Sequence, residues 1–139
     1  MITISHRGNI FGSNPSLENK PDHIQTLLDR NINVEIDVWW HNNKFFLGHD
    51  TPIHEISQNF LVHPNLWCHA KNLDALTILL DMKTVCFWHQ EDDHTLTSNN
   101  FIWTYPNKIN NKNCIVVDIT SDWKNKNYNC AGVCVDYFY

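Results

Sequence analysis

Apolar residues in this chain come mostly in short runs, separated by polar, asparagine-rich segments, a spacing that predicts recurring strands with helices or loops between them. Ile2 to Ser5 reads as a strand ending at His6-Arg7-Gly8. Asn9 to Ser16 is turn-rich, with Gly12, Asn14 and Pro15. Ser16 is placed to cap a helix, with Glu18 in its first turn and Ile24, Leu27 and Leu28 as its apolar stripe up to Asp29. Asn33 to Val38 follows as a strand, so the opening predicts a βαβ unit with parallel strands and a right-handed crossover. After the turn His41-Asn42-Asn43, Lys44 to Gly48 is extended and ends at His49-Asp50. Leu66 to Lys71 is a strand, and Asn72 caps a helix carrying Leu73, Leu76, Leu79 and Leu80. Thr84 to His89, Phe101 to Tyr105, Ile115 to Ile119 and Gly132 to Asp136 are further strands. No linker or repeat interrupts residues 1–139, which predicts one domain.

The strand Asn33 to Val38 departs from simple amphipathic patterning. A period of two puts Val34, Ile36 and Val38 on one face, and Glu35 and Asp37 on the other. Adjacent carboxylates on an otherwise apolar strand repel each other and resist desolvation, and a bound cation relieves both costs. The same pattern also fits the wet face of an edge strand. His6, Asp37, His49, Lys71 and His89 all read as sitting at strand C-terminal ends, where parallel α/β folds bind ligands.

Composition narrows the class. Hydrophobic residues make up 42% of the chain and charged residues 18%, which is globular. The net charge of -5 argues against a nucleic-acid partner, which would need a basic stripe. No apolar run is long enough to span a membrane, and Met1 to Ser5 lacks a signal-peptide layout. The five cysteines have no framework spacing and read as reduced thiols, so a cytoplasmic location is expected.

Four pieces in order, His6-Arg7-Gly8, Ser16-Leu17-Glu18-Asn19, Glu35-Ile36-Asp37-Val38 and Gly48-His49-Asp50, resemble the signature of glycerophosphodiester phosphodiesterases, members of the phospholipase-C-like phosphodiesterase superfamily. Trp67 to Lys71, Phe101 to Tyr105 and Ala131 to Tyr137 resemble later strands of that family more loosely. The resemblance implies a (β/α)₈ barrel, but such barrels need about 200 residues or more. The expectation is therefore a reduced or incomplete (β/α) TIM-type barrel with mostly parallel strands, whose open edge a second copy could cover as a homo-oligomer.

The resemblance also implies a metal-dependent hydrolase of small glycerophosphodiesters. His6 and His49 would be the acid–base pair, with His6 as base and His49 as acid; imidazoles suit this work because they titrate near pH ~6.5. Arg7 can clamp a phosphate oxygen, and Lys71 adds a second positive charge. Glu35 and Asp37 would hold one divalent ion. His69 stands where the family has a carboxylate ligand, a change that weakens Ca²⁺ or Mg²⁺ and favours Mn²⁺ or Zn²⁺. Glu18 would orient Arg7 or reach the metal, or serve only a helix dipole. His89 would be a ligand, a phosphate contact or a solvent-bonded side chain. Trp103 would form a substrate wall, and Trp39 and Trp40 the rim. The same residues fit a lyase forming a cyclic phosphate, and a pocket that binds phosphodiesters without turnover.

Overall fold

The computed structural model describes all 139 residues. Its strands are β1 (Ile2–His6), β2 (Asn33–His41), β3 (Lys44–Leu47), β4 (His54–Ile56), β5 (Leu66–Ala70), β6 (Cys86–Trp88), β7 (His94–Leu96), β8 (Ile102–Thr104), β9 (Cys114–Asp118) and β10 (Gly132–Val135). Two α-helices interrupt them, α1 (Pro21–Leu28) and α2 (Leu73–Asp81). Parallel ladders run β6-β5-β2-β1-β10-β9-β8. Three antiparallel ladders add β3 to β2, β4 to β3 and β7 to β8.

The expected TIM-type barrel is corrected by this architecture. The chain folds as a mixed, strand-rich half-barrel sheet with two helices of eight and nine residues. The physical cause lies in the connections. Residues 89–93, 105–113 and 119–131 carry turns and one 3₁₀ turn, Trp123–Asn125, instead of helices. The outer side of β10 is covered by Trp123, Tyr128 and Tyr137, large rings that seal apolar surface with little backbone. The two ends of the sheet approach without a ladder between them: Ser98 donates its N–H to the Cys86 carbonyl at 2.8 Å, and Thr95 Oγ1 to the Trp88 carbonyl at 2.7 Å.

The sheet separates two apolar layers. Val34, Ile36 and Val38 pack outward against α1 and α2, with Ile24, Leu27, Ala75 and Leu79. The inner layer is Ile4, Trp67, Phe87, Trp103, Ile115 and Cys134, drawn from six strands. That convergence requires a curled sheet. All five cysteines are free thiols. No helix is long and apolar enough to cross a membrane.

Local expectations hold at some places and fail at others. Asn72 caps α2, accepting from the Ala75 N–H at 3.0 Å. Ser16 does not cap α1, which begins at Pro21 after Lys20; Ser16 Oγ bonds Asn14 instead. Glu18 therefore lies in a turn and meets no helix dipole. Asp37 is not at a strand end, because β2 continues to His41 to pair with β3.

Asn72 also ties α2 to the sheet, accepting from the Trp40 N–H at 3.2 Å and donating to the Trp40 carbonyl at 2.7 Å. Asn72→Ala removes the cap and both links, and should cost roughly 2 kcal/mol in urea unfolding. Asn72→Asp keeps the acceptor and should fall between. A variant as stable as the parent would show that α2 needs neither.

Candidate functional site

β1 ends in a sharp turn. Arg7 and Gly8 take φ values of 56° and 88°, in the left-handed region. A Cβ on Gly8 would lie 2.7 Å from Ile24 Cδ1, so only glycine fits without movement. Arg7 adopts this costly conformation because it is held from both sides. Its N–H donates to Glu35 Oε2 at 3.2 Å, and its carbonyl accepts from the Asn19 N–H at 3.0 Å. His23 is half-buried and donates Nε2–H to the Gly8 carbonyl at 2.8 Å.

Glu35 and Asp37 point to the inner side of β2 and are 2% and 0% exposed. Strand register sets His69 beside Asp37, with Nδ1 3.2 Å from Asp37 Oδ1 and 3.8 Å from Glu35 Oε1. His69 Nε2 lies 2.7 Å from the His89 carbonyl oxygen. A carbonyl only accepts, so Nε2 carries a proton and the Nδ1 side faces the acids. Arg7 Nε is 3.5 Å from Asp37 Oδ2, and Lys71 Nζ 3.7 Å from Asp37 Oδ1. Asn19 clasps Asp37 twice: it donates to Oδ2 at 2.8 Å and accepts from the Asp37 N–H at 2.9 Å. Asp37 Oδ1 is left buried without a completed hydrogen bond. One ligand atom each from Glu35, Asp37 and His69 lies within 4.8 Å of the others, close enough to share an ion.

A second network holds the histidine of β1. His6 Nδ1 donates to Asp136 Oδ1 at 2.8 Å, leaving Nε2 as the nitrogen available to the cavity that His6 lines. Asn9 donates to the same Asp136 oxygen at 2.8 Å and to Glu18 Oε1 at 2.9 Å. Glu18 also accepts from Ser13 Oγ, and its other oxygen lies 3.5 Å from Arg7 Nη1. His49 arrives from the hairpin. The Gly48 N–H donates to the Asp37 carbonyl at 3.1 Å, and a Cβ on Gly48 would meet the Thr51 carbonyl oxygen at 2.0 Å. His49 is exposed on one side and donates Nδ1–H to Asp50 at 2.7 Å.

His6, Arg7, Glu35, His49, His69, Lys71, His89 and Trp103 line one cavity of about 520 Å³. Asp37 lies directly beneath it, against His69 and Lys71. Glu18 stands behind Arg7 and does not line it. His89 donates Nε2–H to the Asp92 carbonyl at 2.8 Å and stacks on Tyr105, so its ring is a wall and not a member of the acidic cluster. Trp39 and Trp40 do not form the rim: Trp39 Nε1 bonds the Gly48 carbonyl, and Trp40 packs on Phe45. Asp136, Asn9 and Asn19 carry no role in the sequence reading. Asp136 ends an apolar strand and Asn19 closes the Ser16–Asn19 motif, whereas Asn9 has no such signal in an asparagine-rich chain.

Charge is distributed unevenly in this small volume. Burial alone would raise both inner carboxyls. For Asp37, the His69 ring, Arg7 and Lys71 outweigh it and hold the carboxyl well below its usual range. Glu35 is pushed up, by burial and then by the Asp37 charge. Burial also works against charging His6, but the Asp136 hydrogen bond and the nearby Glu35 raise its pKa above the ordinary value. Asp136 is lowered in turn: burial opposes this, and the His6 hydrogen bond overcomes it.

No protein-family model, curated protein or solved structure matches the chain. The site's own geometry therefore carries the functional conclusion.

The two shifts fix a pH window for stability. The raised His6 value contributes stability that is complete below about pH 6.5 and is lost as pH rises through the folded-state value. The lowered Asp136 value contributes above about pH 3.9, and is lost as pH falls through its folded-state value. Asp136→Asn should lower the His6 pKa in an NMR titration and flatten both flanks of the urea-stability profile. An unchanged His6 titration would remove Asp136 as the cause of the shift.

Proposed function

We propose that this chain is a metal-dependent phosphodiester hydrolase acting on small glycerophosphodiester-like substrates, with His6 and His49 as its acid–base pair. One observation carries the reading: two imidazoles, an arginine and a lysine surround one cavity whose floor is a buried acidic pair facing a histidine. The resemblance of residues 6–50 to glycerophosphodiester phosphodiesterases supports the same conclusion.

The donor set fits a divalent ion. Asp37 Oδ1 is buried without a hydrogen bond, while Oδ2 is already held by Asn19. His69 has its Nε2–H fixed by a carbonyl, the outer-shell contact that orients metal-binding imidazoles. Glu35, Asp37 and His69 would hold the ion, and its mixed oxygen–nitrogen ligands favour Mn²⁺ or Zn²⁺ over Ca²⁺ or Mg²⁺. When bound, such an ion polarises a phosphoryl oxygen and offsets negative charge.

The chain's own groups supply the rest. His6 has Asp136 on Nδ1, which leaves Nε2 to take a proton from a water attacking phosphorus. The new P–O bond to water forms as the P–O bond to the alcohol breaks. His49, on the exposed side of the cavity, gives its proton to the departing alkoxide. Arg7 and Lys71 place positive charge beside the phosphoryl oxygens. The Asp136 contact stabilises the imidazolium that His6 becomes, so the same pair that adds stability also favours proton uptake.

Purified protein given Mn²⁺ or Zn²⁺ should release alcohol from glycerophosphodiesters. Asp37→Asn should reduce both metal affinity, read by equilibrium dialysis, and turnover by about 100-fold or more. His49→Ala should lower turnover by roughly 10² to 10⁴ while metal still binds. Full activity in His49→Ala would break the acid assignment. A cyclic phosphate product would replace water by the substrate's own hydroxyl as nucleophile.

A further inference from the structure

We propose that the second alcohol of the diester, the one opposite glycerol, is an uncharged apolar group seated against the Trp88–Trp103–Ile119 side of the cavity. This rests on the hydrolase reading above and adds the chemistry of the carbon chain that the departing alcohol carries.

The cavity has two unlike walls. Apart from the histidines, every charged lining residue comes from the turn after β1, from β2 or from just past β5: Arg7, Glu35 and Lys71. The opposite wall comes from the ends of β6, β8 and β9, and presents Trp88, Trp103, Tyr105, Pro106, Val117 and Ile119. No carboxylate or ammonium group belongs to it. Its polar groups are few and scattered: the Trp88 and Trp103 indole N–H groups, the Tyr105 hydroxyl, the Gln90 amide and His89, whose Nε2–H is already spent on the Asp92 carbonyl. A polyol placed there would exchange water for mainly ring and aliphatic surface, and each hydroxyl left unpaired is costly.

The apolar wall is also built in place. His69 stacks on Phe87 at 5.1 Å between ring centroids, and Phe87 on Trp103 at 4.3 Å. This column runs from the acidic cluster straight into the apolar half, so both halves are fixed relative to one another. Tyr105 is held by a parallel stack on His89 at 5.4 Å. Tyr105 and Ile119 remain 50% and 48% exposed, apolar surface that a ligand would bury. The volume of about 520 Å³ suits a small organic molecule and is more than a phosphate fills. A cationic alcohol would be attracted by the Trp88, Trp103 and Tyr105 rings, but it meets no carboxylate on this side and shares the cavity with the Lys71 and Arg7 charges, so the choline ester is the comparison that decides whether the group is uncharged.

The test is a series of glycerophosphate esters of methanol, butanol and hexanol. These alcohols differ little in acidity, so the slope reports burial and not leaving-group chemistry. Burial of one methylene raises kcat/KM by up to about fourfold. Ile119→Ser should lower the hexyl-to-methyl ratio. In affinity, the glycerol ester should fall below the hexyl ester, and the choline ester below its neutral isostere, the 3,3-dimethylbutyl ester. Affinity for the same series, read by tryptophan fluorescence, keeps the two proposals apart. Rising affinity without any turnover would uphold the apolar subsite and overturn the hydrolase. A flat series in both measurements would overturn the subsite, as would a choline or glycerol ester that binds more tightly than the neutral chain.

Discussion

Two carboxylates buried side by side on the inner face of β2 set the terms for the rest of this protein. Removing an ion from water costs several kcal/mol even after the protein relaxes. Glu35 and Asp37 are almost fully buried, so their surroundings must offset that cost. Neighbouring elements each contribute: Arg7 from the turn after β1, His69 and Lys71 from β5, and Asn19 from the segment before α1. The Arg7 main chain is itself bent into the left-handed region to reach Glu35. Two short β-ladders and one loop are thereby locked around a single point.

The connections explain the form of the fold: residues 89–93, 105–113 and 119–131 carry no α-helix to cover the strands they join. Aromatic side chains take over the covering work at β10, and the interior beneath the site is plugged by Trp67, Phe87 and Trp103. These rings seal the bottom of the curled sheet, so the polar cluster sits on a dry floor. Low local polarity strengthens the attraction between the acids and their partners, and penalises any member left unpaired. The aromatic content is thus part of the electrostatics of the site as well as its packing.

The chain's two ends also meet at the site. β1 and β10 are parallel neighbours, which brings His6 within 2.8 Å of Asp136 across 130 residues of sequence. Asn9 and Glu18 continue that contact into the loop that carries Arg7's partners. Proton-handling and charge-holding groups therefore share one hydrogen-bonded frame, and neither can shift far without disturbing the other.

Much of this was legible one segment at a time. The alternation in Asn33 to Val38 determined which residues of β2 face outward and that two acids face the other way, since side-chain direction along a strand follows directly from backbone geometry. Asn72 announced a helix start because capping is a contact over three residues. Most strand positions followed from apolar runs. By contrast, β4 and β7 are three-residue edge strands whose pairing partners, not their composition, make them strands. The identity of the covering layer was hidden as well, because whether a connection forms a helix or a ring-bearing loop depends on what surface it must seal. Asp136, Asn9 and Asn19 acquired their roles only through contacts with residues far away in the chain. Sequence alone determined the local grammar of strands, caps and one acidic face; the tertiary structure decided which distant polar groups would offset those acids, because charge compensation depends on distance in space and not on separation along the chain.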